Sequence, residues 1–303
     1  MKRSKLLIFF LASRPKFLVA SAAPVIVGSA LGYATSGSFN FCLFTLALLA
    51  IILLHAGANI TNDYFDHTSR NDWLNKNLTP FSGGRRFIQQ GILTPKATLA
   101  SALFALALGS AFGFAIVLLT RSLFILTLGL AGLCGGFFYT AAPVRLGYRT
   151  LGELVIALLF GLLPVYGSYY LQTSTYDTIP LLPACIVSIL IFLVILVNEF
   201  PDAAADAAVN KRTLVVSFGI PTAVCIYRIA LVTSFIIAAA AMLIYQSMFF
   251  AGLFYLFLIP IAVVAIRFAN KEDLAKPGQY RASQVTILLH AVGCLALAAG
   301  FLV

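Results

Sequence analysis

Two short stretches of this chain place acids and amides at helical spacing. Residues 62–66 read Asn62-Asp63-Tyr64-Phe65-Asp66, and residues 198–202 read Asn198-Glu199-Phe200-Pro201-Asp202. Asn62 aligns with Asn198, Asp63 with Glu199, and Asp66 with Asp202. Asp206 extends the second copy, and Asp72 follows the first. Residues four apart on a helix share a face, roughly 6 Å apart. The expectation is two polar stripes at helix ends, Asn62/Asp66 and Asn198/Asp202/Asp206. Acids gathered in this way repel one another unless a cation intervenes. Mg²⁺ suits that role, because it joins a few carboxylates to substrate phosphates.

Basic residues follow each acid stretch. Arg85 and Arg86 come after Ser82-Gly83-Gly84, and Lys211 and Arg212 come after the second acids. Guanidinium and ammonium groups beside such acids are the partners a diphosphate needs. The glycine pair lets backbone N–H groups approach it. Tyr139, Arg145 and Arg14 are further candidates, although loop arginines on a cytoplasmic face need no ligand to explain them. His55, Asn59, Asn62, Asp63 and Asp66 recur along one helical stripe. His67, next to Asp66, is the stronger site histidine; His55 is either cavity-lining or core. Glu153 opens an apolar run, where a helix N-terminus favours an acid, with Arg149 within reach.

The elements that position these groups are membrane helices. The chain has 303 residues, 61% hydrophobic and 10% charged, with a mean hydropathy of +0.99. Nine apolar runs are long enough to span a bilayer core, which takes about 20 residues. They cover roughly 17–36, 40–61, 97–119, 122–141, 151–171, 179–200, 221–245, 247–267 and 283–302. Their apolar character is continuous, which excludes a barrel. Charges in such surroundings cost about 3 kcal/mol each at the bilayer centre and mark function.

The net charge of +10 does not read as nucleic-acid binding. The basic residues, beginning with Lys2, Arg3, Lys5, Arg14 and Lys16, fall almost wholly in alternate loops. That pattern puts the N-terminus in the cytoplasm and the C-terminus outside. The acids then face the cytoplasm. The five cysteines all lie in apolar runs and read as small core residues. The first run lacks a convincing cleavage site, so no removable signal peptide is expected. The two acid copies lie four runs apart in the same orientation. This suggests one domain, 1–303, built of parallel halves near 1–141 and 151–303 around a cavity.

With these residues in view, the chain resembles the UbiA superfamily of intramembrane prenyltransferases. Asn62-Asp63 with Asp66, and Asp202 with Asp206, match its paired acid motifs. Three stretches resemble the branch that prenylates 1,4-dihydroxy-2-naphthoate in menaquinone biosynthesis. They are Ser13-Arg14-Pro15-Lys16-Phe17, residues 80–86 (Pro-Phe-Ser-Gly-Gly-Arg-Arg) and Asn210-Lys211-Arg212-Thr213-Leu214. The resemblance implies an all-α integral membrane fold, nine helices around a central cavity under cytoplasmic cap loops. It implies two Mg²⁺ ions held by Asn62, Asp63, Asp66, Asn198, Asp202 and Asp206. It also implies an isoprenyl diphosphate and an aromatic acceptor as substrates. Turnover is expected to depend on Asp66, Asp202 and Asp72. His67, Gln89, Asp72 and His55 are the candidates for the acceptor. The family often has an acid four residues after Asp66; Arg70 stands there, and Asp72 is the nearest substitute.

Other acceptors, such as 4-hydroxybenzoate, homogentisate, a haem or a lipid, remain open, because the sequence does not display the acceptor pocket. A cation-coupled transporter fits less well, since the acids sit at helix ends and not at mid-span. Prenyl length and oligomeric state are not legible.

Overall fold

Apolar runs in a membrane leave backbone N–H and C=O groups no partner but their own segment, and each run becomes a helix. The computed structural model describes residues 4–303, which hold helices and connecting turns and no strand. Lys2 and Arg3, counted above among the cytoplasmic charges, lie outside the described residues. The helices are α1 (Lys5–Ala12), α2 (Pro15–Ser36), α3 (Phe41–Thr68), α4 (Asn71–Leu74), α5 (Pro95–Thr120) and α6 (Leu123–Phe138). They continue with α7 (Gly152–Thr173), α8 (Leu181–Glu199), α9 (Ala203–Ala208), α10 (Leu214–Ile244), α11 (Gln246–Leu256) and α12 (Ile259–Phe268). The last are α13 (Lys271–Leu274) and α14 (Arg281–Phe301).

Among the described residues, seven helices are long and apolar enough to cross a bilayer, or eight if α11 and α12 form one span bent by 48°. The chain is an integral membrane protein. All nine expected runs fall on helices, but not all are simple spans. The α6 helix has only 16 residues. The eighth run breaks before Ile259-Pro260, where proline cannot supply an N–H. A non-helical Gly219 (φ 78°) kinks α10 just ahead of Pro221, so the run expected from 221 begins at that kink. A π turn at Leu158–Leu162 widens α7 ahead of Pro164.

Helix ends carry their own stops. Asn40 Oδ1 accepts the Leu43 N–H at the start of α3, and Thr94 Oγ1 accepts the Ala97 N–H at the start of α5. Close approach rests on small residues. A Cβ on Gly109 of α5 would lie 3.0 Å from the Ala50 carbonyl oxygen of α3. The main core joins α2, α7, α8, α10 and α14 through fully buried Leu190, Leu193, Leu196, Tyr227 and Leu289. Buried hydroxyls pair across helices in it, as in Tyr227 with Thr286 at 2.6 Å and Ser234 with Tyr255 at 2.8 Å. The cysteines depart from the expectation: Cys42, Cys134 and Cys225 are exposed, and only Cys294 is buried. In a membrane an apolar outer face is solvated by lipid, so hydrophobicity alone does not place a residue in the core.

Candidate functional site

Both acid segments reach one cavity of about 180 Å³ at the same end of the bundle. The first rides on the last turns of α3, whose apolar body stops near Ile60. The second lies beyond α8. Here the single helical stripe expected for Asn198, Asp202 and Asp206 is broken. The α8 helix ends at Glu199, residues 200–202 form a turn, and Asp206 belongs to α9. Pro201 has no N–H to continue the ladder. The Asp206 N–H still bonds the Asp202 carbonyl at 2.9 Å, so the two acids stay on one side.

The polar wall includes Arg14, Asn59, Asn62, Asp66, Asn71, Asp72, Asn198, Glu199, Asp202, Asp206, Tyr139 and Lys211. The apolar wall includes Phe17, Phe160, Ile191 and Val194. Arg14, in a left-handed turn before α2, donates to Asn62 at 3.0 Å and is ion-paired with Asp63. Asp63 itself sits behind the wall. Lys211 lies 3.3 Å from Asp206. His55 lines the cavity, with Nδ1 3.0 Å from Ser21 Oγ and its ring on Phe160.

The segment from Asn71 to Gln89 folds across both acid groups. Asn71 donates to Asp206 and Asn75 to Asp202, each at 2.7 Å. Gln89 donates to Asp72 at 3.0 Å. The glycine pair adopts positive φ, 79° and 70°. The Gly83 N–H, expected on a diphosphate, is 3.3 Å from Asp202 Oδ2. A Cβ on Gly84 would meet Asp72 at 3.1 Å and Asp63 at 3.3 Å, so this backbone approach needs glycine. Phe81 packs edge-on against Phe17, and the Gly278 N–H donates to Asn77. The cap is thus pinned to α2 and to the turn before α14.

Other candidates stand outside the cavity wall. Arg86 donates to the Asn75 carbonyl and holds the end of α4. Arg85 stacks on Phe87. Arg145 is exposed over Tyr148, and Arg212 is exposed. His67 packs beside Trp73. Gln89 reaches the cavity only through Asp72. Glu153 does not pair with Arg149, which donates to the Val144 carbonyl. Instead Glu153 accepts the Leu214 N–H and caps α10. Sequence reasoning missed Asn71 and Asn75. Their i, i+4 spacing around Asp72 was the available signal.

Burial, then the neighbouring Asp66 and Asp63, pushes the Asp72 carboxyl up to about 7. Burial, then Asp206, pushes Asp202 up to about 6. Burial alone would lower the Lys211 ammonium, but Asp206 and the other acids outweigh it and hold it well above its usual value. Among the described residues no three acidic, His or Cys side chains form a ready metal cage. Mg²⁺ does not need one, since it keeps waters and takes substrate oxygens. The fit shows in orphaned atoms. Asp66 Oδ1, Asp206 Oδ2, Asn198 Oδ1 and Glu199 Oε2 are buried without a hydrogen-bond partner. Such oxygens are costly unless something positive joins them.

The sequence profile of the UbiA prenyltransferase family matches residues 21–290. A 1,4-dihydroxy-2-naphthoate octaprenyltransferase of Haemophilus influenzae is 34% identical over 225 residues, 72% of this chain and 71% of its own. A 2-carboxy-1,4-naphthoquinone phytyltransferase of Synechocystis is 25% identical over 96% of this chain and 91% of its own. A UbiA homologue from Archaeoglobus fulgidus, solved with GPP and Mg²⁺, superposes with a TM-score of 0.64. It is 16% identical, and the match covers 95% of this chain and 99% of that one.

Proposed function

Because this chain belongs to the UbiA prenyltransferase family, we propose that it moves a polyprenyl group from an isoprenyl diphosphate to 1,4-dihydroxy-2-naphthoate, with Mg²⁺, in menaquinone biosynthesis. The observation that carries this is the set of unpaired acid and amide oxygens from both segments facing one cavity beside Arg14 and Lys211. A diphosphate with bound cations would supply such a set's missing contacts. The naphthoid acceptors named for both relatives support the acceptor. Their prenyl groups differ, so they leave the tail open.

In this reading Asn62, Asp66, Asn198, Asp202 and Asp206 hold two Mg²⁺ ions, and Asp63, behind the wall, holds Arg14 in place. When bound, Mg²⁺ stabilises negative charge on the diphosphate. Arg14 and Lys211 bind its oxygens, and Arg86 keeps the cap in place. The bond between the prenyl carbon and the diphosphate oxygen breaks, leaving an allylic cation. Apolar walls keep water from it, and the faces of Phe17 and Phe160 stabilise it. The acceptor enters under the cap. Asp72 takes the proton of a ring hydroxyl, which makes the ring carbon a better nucleophile. That carbon bonds the prenyl carbon, and the carboxylate it carried leaves as CO₂.

The loop charges support a cytoplasmic N-terminus, an outer C-terminus, and a cavity facing the cytoplasm, with nine spans if α6 and the bent α11–α12 pair each cross. The test is an acceptor panel. Protein in lipid nanodiscs is given Mg²⁺, a prenyl diphosphate and equal 1,4-dihydroxy-2-naphthoate, 4-hydroxybenzoate and homogentisate. The prenylated naphthalene should dominate. Dominance of another product would overturn the acceptor assignment.

A further inference from the structure

Glu153 belongs to neither acid segment and stands behind the cavity wall, 1% exposed. It sits in the first turn of α7 and adjoins the wall residue Glu199. A buried carboxylate beside a second one is costly unless donors offset it. One donor is visible: the Leu214 N–H, at the start of α10, meets Glu153 Oε1 at 2.5 Å. The N-termini of α7 and α10 thus converge on one carboxylate, where both dipoles favour negative charge. Helix α10 does not need Glu153 to begin, because Thr213 Oγ1 already accepts the Val216 N–H as its own cap. What Glu153 adds is a tie between two helices.

The chain just ahead of Leu214 carries Lys211, a cavity-wall cation. The Lys211 N–H donates to the Asp206 carbonyl at 2.8 Å, and its ammonium lies 3.3 Å from Asp206 Oδ1. Asn210 takes a left-handed turn, φ 57°, and the Arg212 N–H donates to the Tyr148 carbonyl at 3.2 Å. Lys211 is therefore fixed between two anchors. One is α9, through Asp206. The other is the segment 148–153, in which Thr150 makes an exposed contact with Ser217 and Glu153 makes the buried one. The adjoining Gly147 supports a second wall residue. Its N–H donates to the Tyr139 carbonyl at 2.7 Å, and a Cβ there would lie 2.7 Å from the Tyr139 ring.

We propose that Glu153 is a positioning residue for the diphosphate site, holding Lys211 against Asp206 through the Leu214 N–H. The proposal rests on the prenyl diphosphate reading of the acid cavity and deepens it. Glu153 acts here by the length of its side chain. Its two methylenes set the gap between α7 and the start of α10. An aspartate is shorter by one carbon, about 1.5 Å, and keeps the contact only by drawing Leu214 towards α7. Lys211, three residues away and tethered to α9, moves with it. A glutamine has the full length. Its carbonyl accepts the Leu214 N–H, and its NH₂ group suits the neighbouring Glu199 carboxyl. Length and charge therefore make opposite forecasts for the two conservative substitutions.

The experiment compares Glu153→Asp and Glu153→Gln, each alone and combined with Lys211→Ala, in lipid nanodiscs with a prenyl diphosphate, the naphthoate acceptor and Mg²⁺. Glu153→Gln should keep kcat/KM within about threefold of wild type. Glu153→Asp should raise the KM for prenyl diphosphate about ten-fold, the worth of a displaced charge-assisted contact, and leave the KM for the acceptor unchanged. In the Lys211→Ala background Glu153→Asp should cost nothing further, because residues acting through one contact are not additive. A loss in Glu153→Asp that is the same with and without Lys211 overturns the proposal, as does a larger loss in Glu153→Gln than in Glu153→Asp. Should Glu153→Asp not fold, Glu153→Gln decides alone: retained activity supports the positioning role, and a ten-fold loss overturns it. Lys211→Ala separates this from the underlying reading. If Lys211→Ala itself leaves the KM for prenyl diphosphate unchanged, the placement of the diphosphate falls and the positioning role with it. If Lys211→Ala raises that KM and the Glu153 variants do not, only the positioning role falls.

Discussion

The Asn71 side chain donates to Asp206 across 135 positions of sequence, at 2.7 Å. This contact, with its neighbour from Asn75 to Asp202, fastens the cap beyond α3 to the acids beyond α8. One loop therefore senses both halves of the site.

Asn71→Ala should loosen that link. A hydrogen bond to a charged group contributes about 1.5–3 kcal/mol, so the KM for prenyl diphosphate should rise about ten-fold or more. Asn71→Asp should be worse, since it faces Asp206 with a like charge. Steady-state kinetics on both variants check this. Unaltered KM values would mean that the cap closes by other contacts.

Arg14 and Lys211 line the cavity, whereas Arg145 and Arg212 are exposed outside it. Alanine at Arg14 or Lys211 should lower kcat/KM about ten- to a hundred-fold, the worth of a charge-assisted contact. Alanine at Arg145 or Arg212 should cost about threefold or less, as screened surface charges do. Equal losses at all four would place the diphosphate nearer the rim.

Metal binding should weaken in acid. A protonated carboxyl must release its proton before it accepts a cation. Asp202 has a raised value, about 6. Protons therefore compete for it as pH falls through about 6. The metal-free protein should behave oppositely. Raised folded-state values mean that the fold binds more protons than the unfolded chain, so its stability rises as pH falls through the same window. The Mg²⁺-induced rise in Tm, followed across that window, should shrink towards acid. A constant shift would exclude Asp202 as a ligand.

Asp72 faces Gly84 and Asp63 and accepts from Gln89. As the acceptor's base it should be dispensable for the diphosphate. Asp72→Asn should keep prenyl diphosphate affinity and lose transfer. Weakened affinity would move Asp72 to the metal.

Much of this site is legible in the sequence. Asp66, Asp202 and Asp206 could be paired because helical spacing after an apolar run has a fixed geometric meaning. Pro201 was visible too, but the turn it makes between Glu199 and Asp202 could be avoided by a kinked helix, and only packing decides. Which cations face inward was not legible. Arg14 and Arg145 look alike in sequence, since both precede apolar runs. Left-handed turns aim both, and no periodicity governs a loop side chain. Asn71 and Asn75 carried an i, i+4 signal around Asp72, but only packing brings that short helix against Asp206 and Asp202.

The central claim is that both acid segments hold one diphosphate. The direct measurement is Mg²⁺-dependent binding of a non-cleavable prenyl thiodiphosphate to wild type, Asp66→Ala and Asp202→Ala. Wild type should bind, lose the ligand in EDTA and regain it with Mg²⁺, and each variant should lose most of its affinity while keeping a folded, membrane-inserted chain. Wild-type affinity retained in either variant, or binding indifferent to EDTA, would contradict it.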